Sequence, residues 1–349
     1  MNGKNLVTLT GITTTGTPHL GNYVGAIRPA VEASRSAPAG CSFFFLADFH
    51  ALVKNRDADE VAQSSLEVAA AWLAAGLNTD NAVFYRQSDI PEIPELTWVL
   101  TTLTAKGLMN RSHAYKAAND ANREAGLADL DRGVTMGLFC YPILMAADIL
   151  MFKADRVPVG KDQRQHVEMA RDIAQRFNHH YGELLTVPQA DIDEHRAVLL
   201  GTDGRKMSKS YGNVVPLFCP AKQLRKYVMR VRTNSQAPGE PKDPDDSLLF
   251  DLYRSVASPE ETAAMRERYA AGIGWAEMKN ELFEYLDALL APGREVYDRL
   301  LANPGDVEAE LRRGAKRARE ISEPLMRDIR EAVGLRPLAS VRPPNSGVD

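Results

Sequence analysis

Two lysines in a flexible loop are the residues of this chain best suited by type and spacing to do chemistry. They stand three positions apart in Lys206–Ser210 (KMSKS), directly after the Gly- and Asp-containing turn Gly201–Arg205. Such a loop can bring two cations to the charge that develops on a leaving pyrophosphate, and it can close over a site to exclude water. A solvated basic surface loop is the alternative, which this short string with its glycine lead-in disfavours.

A second phosphate-handling element lies near the start of the chain. His19 and Asn22 are three positions apart, with Gly21 between them, after the loop Thr13–Pro18. Because the amides and the dipole at a helix N-terminus favour anions, both side chains can donate to phosphate oxygens there. On this motif alone, an ordinary strand–helix junction explains the residues equally well.

One carboxylate interrupts the apolar segment Tyr141–Phe152. Tyr141, Met145 and Asp148 fall on one face of the predicted helix. A buried carboxylate needs a donor, and a ligand N–H or O–H would supply it, so that ligands without the donor are rejected. Pairing with a protein donor such as Arg156 is the structural alternative.

A polar turn follows the next predicted strand. Within Gly160–His166, Asp162 can cap the following helix or accept from a ribose hydroxyl, and Gln163 can hold a polar head group. Simple helix capping by Asp162 explains the turn equally well.

The elements that must position these residues alternate between strand and helix. Strands are predicted at Asn5–Thr10, Cys41–Asp48, Ala82–Arg86, Arg156–Val159 and Ala197–Gly201. Helices are predicted at Gly21–Ala33, Asp57–Leu77, Pro91–Lys106, Gly133–Lys153 and Asp162–Asn178, with an irregular insertion at Gly107–Arg132. This alternation predicts an α/β fold with a Rossmann-like, doubly wound parallel sheet.

Past Tyr211 the pattern becomes helical, and a C-terminal all-helical domain is expected. Its helices are predicted at Ala221–Arg232, Ser247–Ser255, Pro259–Ala271, Trp275–Ala291 and Asp306–Gly334. The expected organisation is a nucleotide-binding catalytic domain over residues 1–214, a helical domain over 215–335 and a flexible tail over 336–349.

Composition restricts the class of protein. The 349 residues carry a net charge of −4, so nucleic-acid contacts must come from local basic patches. Two such patches are Lys222, Arg225, Lys226, Arg230 and Arg232, and Arg312, Arg313, Lys316, Arg317 and Arg319. Solvated helix faces are the alternative for either patch. Three scattered cysteines, no metal-ligand spacing, no signal peptide and no membrane-length apolar run predict a cytoplasmic protein without a dedicated metal site.

These motifs, in this order, resemble the class I aminoacyl-tRNA synthetases, and most closely the bacterial tryptophanyl-tRNA synthetases. His19–Asn22 is similar to that family's version of the H-I-G-H motif, and Lys206–Ser210 matches its KMSKS motif letter for letter. Tyr141–Leu150 is similar to the tryptophan-pocket helix, and Val157–Gln163 to a V-P-V-G-x-D-Q segment. Asp48–Ala51 resembles a D-x-H-A turn. The resemblance covers nearly the whole chain.

The resemblance implies a role for each matching residue. His19, Asn22, Lys206 and Lys209 would be catalytic. ATP would be bound by Thr13, Thr14, Thr15, Gly21, Asn22, Gly160, Lys161, Asp162, Val198, Leu199, Lys206, Met207, Ser208, Lys209 and Ser210. Tryptophan would be bound by His50, Tyr141, Met145, Asp148 and Gln163, with Asp148 accepting the indole N–H.

The implied activity is ATP-dependent attachment of L-tryptophan to tRNA(Trp) through an aminoacyl adenylate, by a homodimer. Mg²⁺ would enter with ATP as a counter-ion. Two departures from the family pattern are Thr13–Thr15, where Gln-Pro-Ser is common, and Ala118, where a lysine is common; Lys116 matches a second family lysine, and Arg123 is a candidate replacement at Ala118.

Three other functions remain open at this stage. A tyrosyl-tRNA synthetase would use Asp148 for a phenol O–H, although Leu6–Thr10 lacks the tyrosine usual in those enzymes. A coenzyme adenylyltransferase shares the H-x-G-H logic but is usually shorter. A non-enzymatic tRNA-binding protein is the third, against which the intact Lys206 and Lys209 argue.

Overall fold

A parallel five-stranded sheet forms the centre of the catalytic part. The computed structural model describes residues 5–160, 163–192 and 199–338. The strands lie in the order β3-β2-β1-β4-β5, and every pair is parallel. Their bounds are Thr8–Thr13 (β1), Ser42–Ala47 (β2), Val83–Arg86 (β3), Arg156–Val159 (β4) and Gln189–Ile192 (β5). The predicted Rossmann-like α/β fold is thereby confirmed.

Strand β2 shows why the sheet is covered on both faces. All six of its residues are buried. Phe44 and Leu46 belong to one apolar core, and Phe43 and Phe45 belong to the other. Because successive side chains of a strand point to opposite faces, a continuous apolar run is what a doubly covered sheet requires.

The crossover helices surround this sheet. They are α1 (Leu20–Asn22), which continues through a π-turn at Tyr23–Ile27, α2 (Arg28–Ser36), α3 (Asp48–Ala51), α4 (Ala58–Ala74), α5 (Glu92–Leu103), α6 (Lys106–Met109), α7 (His113–Glu124), α8 (Met136–Met151) and α9 (Arg164–Tyr181). Those predicted from apolar periodicity are present, with ends that differ by a few residues.

The expectation of an irregular insertion at Gly107–Arg132 was wrong. Part of it folds into α6 and α7, although α7 buries none of its residues fully. Its side chains stabilise it by bonding to the following loop, since Asn119 and Asn122 both donate to the carbonyl oxygen of Leu130. The half-buried face of α7 carries mainly alanine and asparagine, so its apolar signal in the sequence is weak.

The last strand was also misplaced. The sheet ends at β5, whereas in the predicted strand Ala197–Gly201 the described residues begin at Leu199, and Leu200 forms only an isolated antiparallel bridge with Lys206. Strand β5 lies at the sheet edge and carries polar residues, so it lacks the apolar run of a central strand.

Helices make up most of the chain after residue 220. They are α10 (Ala221–Met229), α11 (Leu248–Arg254), α12 (Pro259–Ala270), α13 (Trp275–Ala302) and α14 (Pro304–Ala332). Helix α13 runs through Pro292, past its predicted end at Ala291, and the next residue, Gly293, packs directly on Phe218.

Helix α14 returns to the sheet and packs along β3. Gly314 leaves no room for a side chain, since a Cβ atom there would lie 1.6 Å from the carbonyl oxygen of Phe84. The apolar residues of α14 therefore share a core with the sheet. The division at residues 214 and 215 stays a prediction, and most of the predicted tail, from residue 339, lies outside the described residues.

Candidate active site

Two adjoining cavities open where β1 and β4 end, which is the point at which the strand order reverses. Ligands of doubly wound sheets bind at this position, outside the carboxyl ends of the strands. The deeper one, here the Asp148 cavity, has a volume of about 620 Å³. The other, here the lysine cleft, has a volume of about 460 Å³. Thr13, Thr15, Gly25 and Gly160 line both, so the two spaces lie side by side.

The cavities sort the predicted residues into two groups. The Asp148 cavity is lined by all five predicted tryptophan residues: His50, Tyr141, Met145, Asp148 and Gln163. The lysine cleft is lined by the four predicted catalytic residues, His19, Asn22, Lys206 and Lys209, and by most of the other predicted ATP residues: Thr13, Thr15, Gly21, Gly160, Leu199, Met207 and Ser208. Thr14 and Ser210 line neither cavity, and Lys161, Asp162 and Val198 lie outside the described residues.

Asp148 is a fully buried carboxylate with protein donors on both oxygens. His50 Nε2 lies 2.9 Å from Oδ2, and Gln87 Nε2 lies 2.7 Å from Oδ1 and 3.0 Å from Oδ2. Burial raises the pKa of Asp148, and the contacts with His50 and Gln87 oppose that shift. A protein donor does pair with Asp148, as the structural alternative from the sequence held, but the donors are His50 and Gln87 and not Arg156.

A hydrogen-bonded chain holds the opposite wall of the Asp148 cavity. The Tyr141 hydroxyl lies 2.7 Å from His166 Nε2, and His166 Nδ1 lies 2.8 Å from Gln163 Oε1. Since the amide oxygen can only accept, His166 donates from Nδ1 and accepts the Tyr141 proton at Nε2. The chain fixes the phenol and amide that face the cavity.

The His19 turn forms one wall of the lysine cleft. The backbone N–H of His19 donates to Asn22 Oδ1 at 3.1 Å, which leaves the amide nitrogen of Asn22 as its donating end. Burial, helped by the charge of Lys209, lowers the pKa of His19 to about 4, so the imidazole is neutral at pH 7. Its Nδ1 is buried and has no hydrogen-bond partner among the described residues.

The lysine loop forms the other wall, and Asn213 organises it. Asn213 Oδ1 accepts from the backbone N–H of Ser208 at 2.8 Å, while its Nδ2 donates to Asp203 at 2.7 Å and to the carbonyl oxygen of Lys206 at 3.1 Å. Gly201 permits this packing, because a Cβ atom there would lie 2.3 Å from Asn213 Nδ2. One buried amide thus sets the backbone of the motif.

Two side chains of the lysine loop reach across the cleft. Met207 packs its sulfur 3.3 Å from the backbone nitrogen of Gly21. Lys209 donates from Nζ to the carbonyl oxygen of Thr15. Burial of that ammonium end lowers the pKa of Lys209 to about 8, so it remains mostly charged at pH 7. The loop is closed over the cleft, with a cation beside the His19 turn.

The two predicted basic patches differ in their surroundings. In the first, Arg225 bonds to Asn280, and no described residue of that patch forms a salt bridge with another described residue. In the second, most arginines hold α14 on the sheet: Arg313 pairs with Asp80, Arg317 donates to the carbonyl oxygens of Thr79 and Ala82, and Arg319 pairs with Glu92.

Sequence reasoning missed Gln87 and Asn213 as site residues. Gln87 directly follows β3, and that position at the carboxyl edge of the sheet was a usable signal. Arg123, considered as a replacement for the lysine missing at Ala118, pairs with Asp120 on α7 and lines neither cavity.

Comparison with known proteins decides the family. A family model described as tRNA synthetases class I (W and Y) matches residues 1–291. The chain belongs to this family of class I tRNA synthetases. The tryptophan–tRNA ligase of Pseudomonas aeruginosa is 60% identical over 333 residues, which cover 95% of this chain and 74% of that protein. That of Neisseria meningitidis is 56% identical over 330 residues, which cover 95% of this chain and 98% of that protein.

Solved structures agree with the family assignment. The tryptophanyl-tRNA synthetase of Campylobacter jejuni, complexed with ADP and tryptophan, is 39% identical with a TM-score of 0.83, and the match covers 94% of this chain and 100% of that one. The tyrosyl-tRNA synthetase of Archaeoglobus fulgidus, at 18% identity and a TM-score of 0.63, shares the fold. The predictions of a class I fold and of a tryptophan–tRNA ligase are confirmed by this set of relatives.

No group of three or more His, Cys, Asp or Glu side chains in residues 5–160, 163–192 and 199–338 is arranged to hold a metal ion. In the same part of the chain, no helix has the length and apolar character needed to cross a bilayer.

Proposed function

We propose that this synthetase activates L-tryptophan with ATP inside the two adjoining cavities and then transfers it to tRNA(Trp). The observation that supports this most strongly is the shared wall of Thr13, Thr15, Gly25 and Gly160. An amino acid in the Asp148 cavity would direct its carboxylate past these shared residues toward the α-phosphate of a nucleotide in the lysine cleft. Such placement accelerates the attack by proximity and orientation.

The Asp148 cavity would recognise the amino acid. Asp148 would accept the indole N–H, Met145 would pack on the ring, and His50 would help to hold the Asp148 carboxylate through its contact with Oδ2. Tyr141 and Gln163, fixed through His166, would bind the α-amino group. Because Asp148 is buried and each of these polar groups is bonded to a protein partner, the cavity is preorganised for its ligand.

The lysine cleft would bind ATP and stabilise the transition state. Neutral His19 and the Asn22 amide would donate to phosphate oxygens at the start of α1, and Gly21 and Leu199 would approach the nucleotide. Lys206 and Lys209 would neutralise the charge that develops on pyrophosphate as the bond to the α-phosphate breaks. Mg²⁺ would arrive with ATP as part of the substrate, and Lys161, Asp162, Val198 and Ser210 keep their predicted nucleotide roles.

The second step needs tRNA, and the first basic patch is the surface we assign to it. Lys222, Lys226 and Arg230 are exposed. Arg232 joins the patch to the lysine loop, since its backbone nitrogen bonds to Thr202 at 3.0 Å. Exposed cations free of acidic partners can release counterions from a phosphate backbone. The helical region would reach the anticodon, the enzyme would work as a homodimer, and a cytoplasmic location would place it with its tRNA.

Exchange of pyrophosphate into ATP tests the proposal directly. Labelled pyrophosphate should enter ATP when tryptophan is present, and far more slowly with tyrosine or phenylalanine. Preference for tyrosine would assign the cavity to a phenol O–H. Failure with every amino acid would favour a tRNA-binding protein without synthetase activity. Light scattering of the same preparation tests the dimer.

A further inference from the structure

Gln87 lies beneath the Asp148 cavity at the junction of two strands. Strands β2 and β3 pair with Leu46 opposite Arg86, so the residues that follow both strands meet at one edge. Gln87 is the first residue after β3 and is completely buried. An amide so placed must have its hydrogen bonds satisfied inside the protein.

The orientation of the Gln87 amide is fixed by backbone groups. The backbone N–H of Phe49 donates to Gln87 Oε1 at 3.1 Å, which identifies that atom as the oxygen. Asp48 Oδ1 accepts from the backbone nitrogens of Phe49, at 3.1 Å, and Ser88, at 3.0 Å, and so ties the two turns together. The amide nitrogen of Gln87 must therefore face Asp148.

This arrangement leaves Asp148 with acceptor capacity for a ligand. An ionised carboxylate offers about four lone-pair sites. Gln87 contacts both oxygens and His50 contacts Oδ2, so Oδ1 is the less occupied oxygen. Asp148 also lines the cavity. A ligand N–H can thus be accepted without displacing either protein donor.

We infer that Gln87 is a positioning residue for substrate choice: its amide holds Asp148 as an oriented acceptor and so sets the preference for an indole N–H. The inference rests on the proposed function, in which Asp148 accepts that N–H. Without the Gln87 amide, Asp148 would lose the donor that contacts both of its oxygens, and the carboxylate would no longer be held in the orientation that presents it to the ligand. The titratable groups that bear on Asp148 are His50 and Asp48 on α3 and Tyr85 on β3.

A substrate analogue separates this role from a merely structural one. In β-(3-benzothienyl)alanine a sulfur atom replaces the indole N–H while the ring shape is kept. The ratio of kcat/KM for tryptophan to kcat/KM for this analogue is measured by pyrophosphate exchange in the wild type, Gln87→Met and Tyr85→Phe. Gln87→Met keeps the side-chain length but removes the donor. Tyr85→Phe removes a neighbouring buried hydroxyl that has no partner among the described residues, and is the matched control.

The wild type should prefer tryptophan over the analogue by about tenfold or more, as expected for a hydrogen bond to a charged acceptor. Gln87→Met should reduce this preference to about threefold or less while retaining activity with the analogue, and Tyr85→Phe should keep the wild-type ratio. Retained activity with the analogue shows that the variant is folded. An unchanged ratio in Gln87→Met would overturn the inference, as would an equal loss with both substrates. If the wild type were inactive with both tryptophan and the analogue, the proposed function would be overturned instead.

Discussion

The Asp148 cavity and the lysine cleft lie side by side but are built in opposite ways. In the cavity, Asp148 and Gln87 are completely buried, and their polar atoms bond to other protein groups. In the cleft, Lys206 and most of the Lys209 side chain are exposed, with only the ammonium end of Lys209 enclosed, and their loop takes its shape from Asn213. A rigid, dry acceptor suits the choice of one amino acid, whereas cations on a loop can meet charge that appears only in the transition state.

The largest effect is expected from the lysine cleft. Replacing both lysines, Lys206→Ala with Lys209→Ala, should lower kcat of pyrophosphate exchange by roughly 1000-fold or more, because each cation acts on developing charge. The KM for ATP should change by only a few fold, since ground-state binding also uses the His19 turn. Steady-state exchange kinetics measure both. If the variant kept a normal kcat and showed a greatly raised KM for ATP, the two lysines would serve ground-state ATP binding only. The proposed difference between the loop and the cavity would then be wrong.

A smaller but more selective effect is expected from the cavity. Asp148→Ala should raise the KM for tryptophan by about 100-fold, because the ligand loses its acceptor and the donors of His50 and Gln87 are left unpaired. At saturating tryptophan, kcat should fall much less than in the lysine variant. Arg156→Ala is the matched control, since Arg156 was the donor expected from the sequence. If that control behaved like Asp148→Ala, the assignment of the buried network would be wrong.

The pH dependence of kcat/KM for ATP should be governed by Lys209 in the lysine cleft and not by groups in the Asp148 cavity. Lys209, with its pKa lowered to about 8 by burial, is charged below that pH and loses its charge as the pH rises through it. Therefore kcat/KM for ATP, which reports the free enzyme, should fall above about pH 8, by up to tenfold per pH unit. Lys209→Arg should move this fall to higher pH, because a guanidinium stays charged. If the wild type and Lys209→Arg showed the same pH profile, the fall in kcat/KM would not come from Lys209.

The smallest effects are expected at the two basic patches. The first patch has no salt bridge to a described residue, whereas most arginines of the second patch bond to groups near β3. Arg225→Ala with Lys226→Ala should leave the free energy of unfolding within about 0.5 kcal/mol. It should also reduce the slope of log affinity for tRNA against log salt concentration by about 1 to 2. Arg319→Ala should instead cost about 1–3 kcal/mol in urea unfolding, because it leaves the buried Glu92 carboxylate with fewer donors. If the Arg225/Lys226 variant lost stability and Arg319→Ala changed only the salt dependence of tRNA binding, the roles of the two patches would be reversed.

The sequence predicted those parts of the fold and site that carry a local signal. The apolar run of β2, the motif at Lys206–Ser210 and the single carboxylate Asp148 were all readable along the chain. Helix α7 and strand β5 were not, because the inner face of α7 carries mainly alanine and asparagine and β5 is a polar edge strand. Each is stabilised by contacts that form only in the folded chain.

The partners of the site residues were harder to predict than the residues themselves. Arg156 was the donor expected for Asp148 from its place in the sequence, while the true donors lie on the turns after β2 and β3. Likewise, the second basic patch has the composition of a phosphate-binding surface, but its arginines meet Asp80 and Glu92 across the sheet edge. Pairing across long sequence separations is decided by topology, which a local pattern does not contain.

The most direct test of the account is the ratio of kcat/KM for tryptophan to kcat/KM for tyrosine, measured by pyrophosphate exchange in the wild type, Asp148→Ala and Lys206→Ala. The account predicts a strong preference for tryptophan in the wild type. It predicts the same preference at a much lower kcat in Lys206→Ala, and a ratio near one in Asp148→Ala. A wild type that prefers tyrosine, or an Asp148→Ala variant that keeps the full preference, would contradict it.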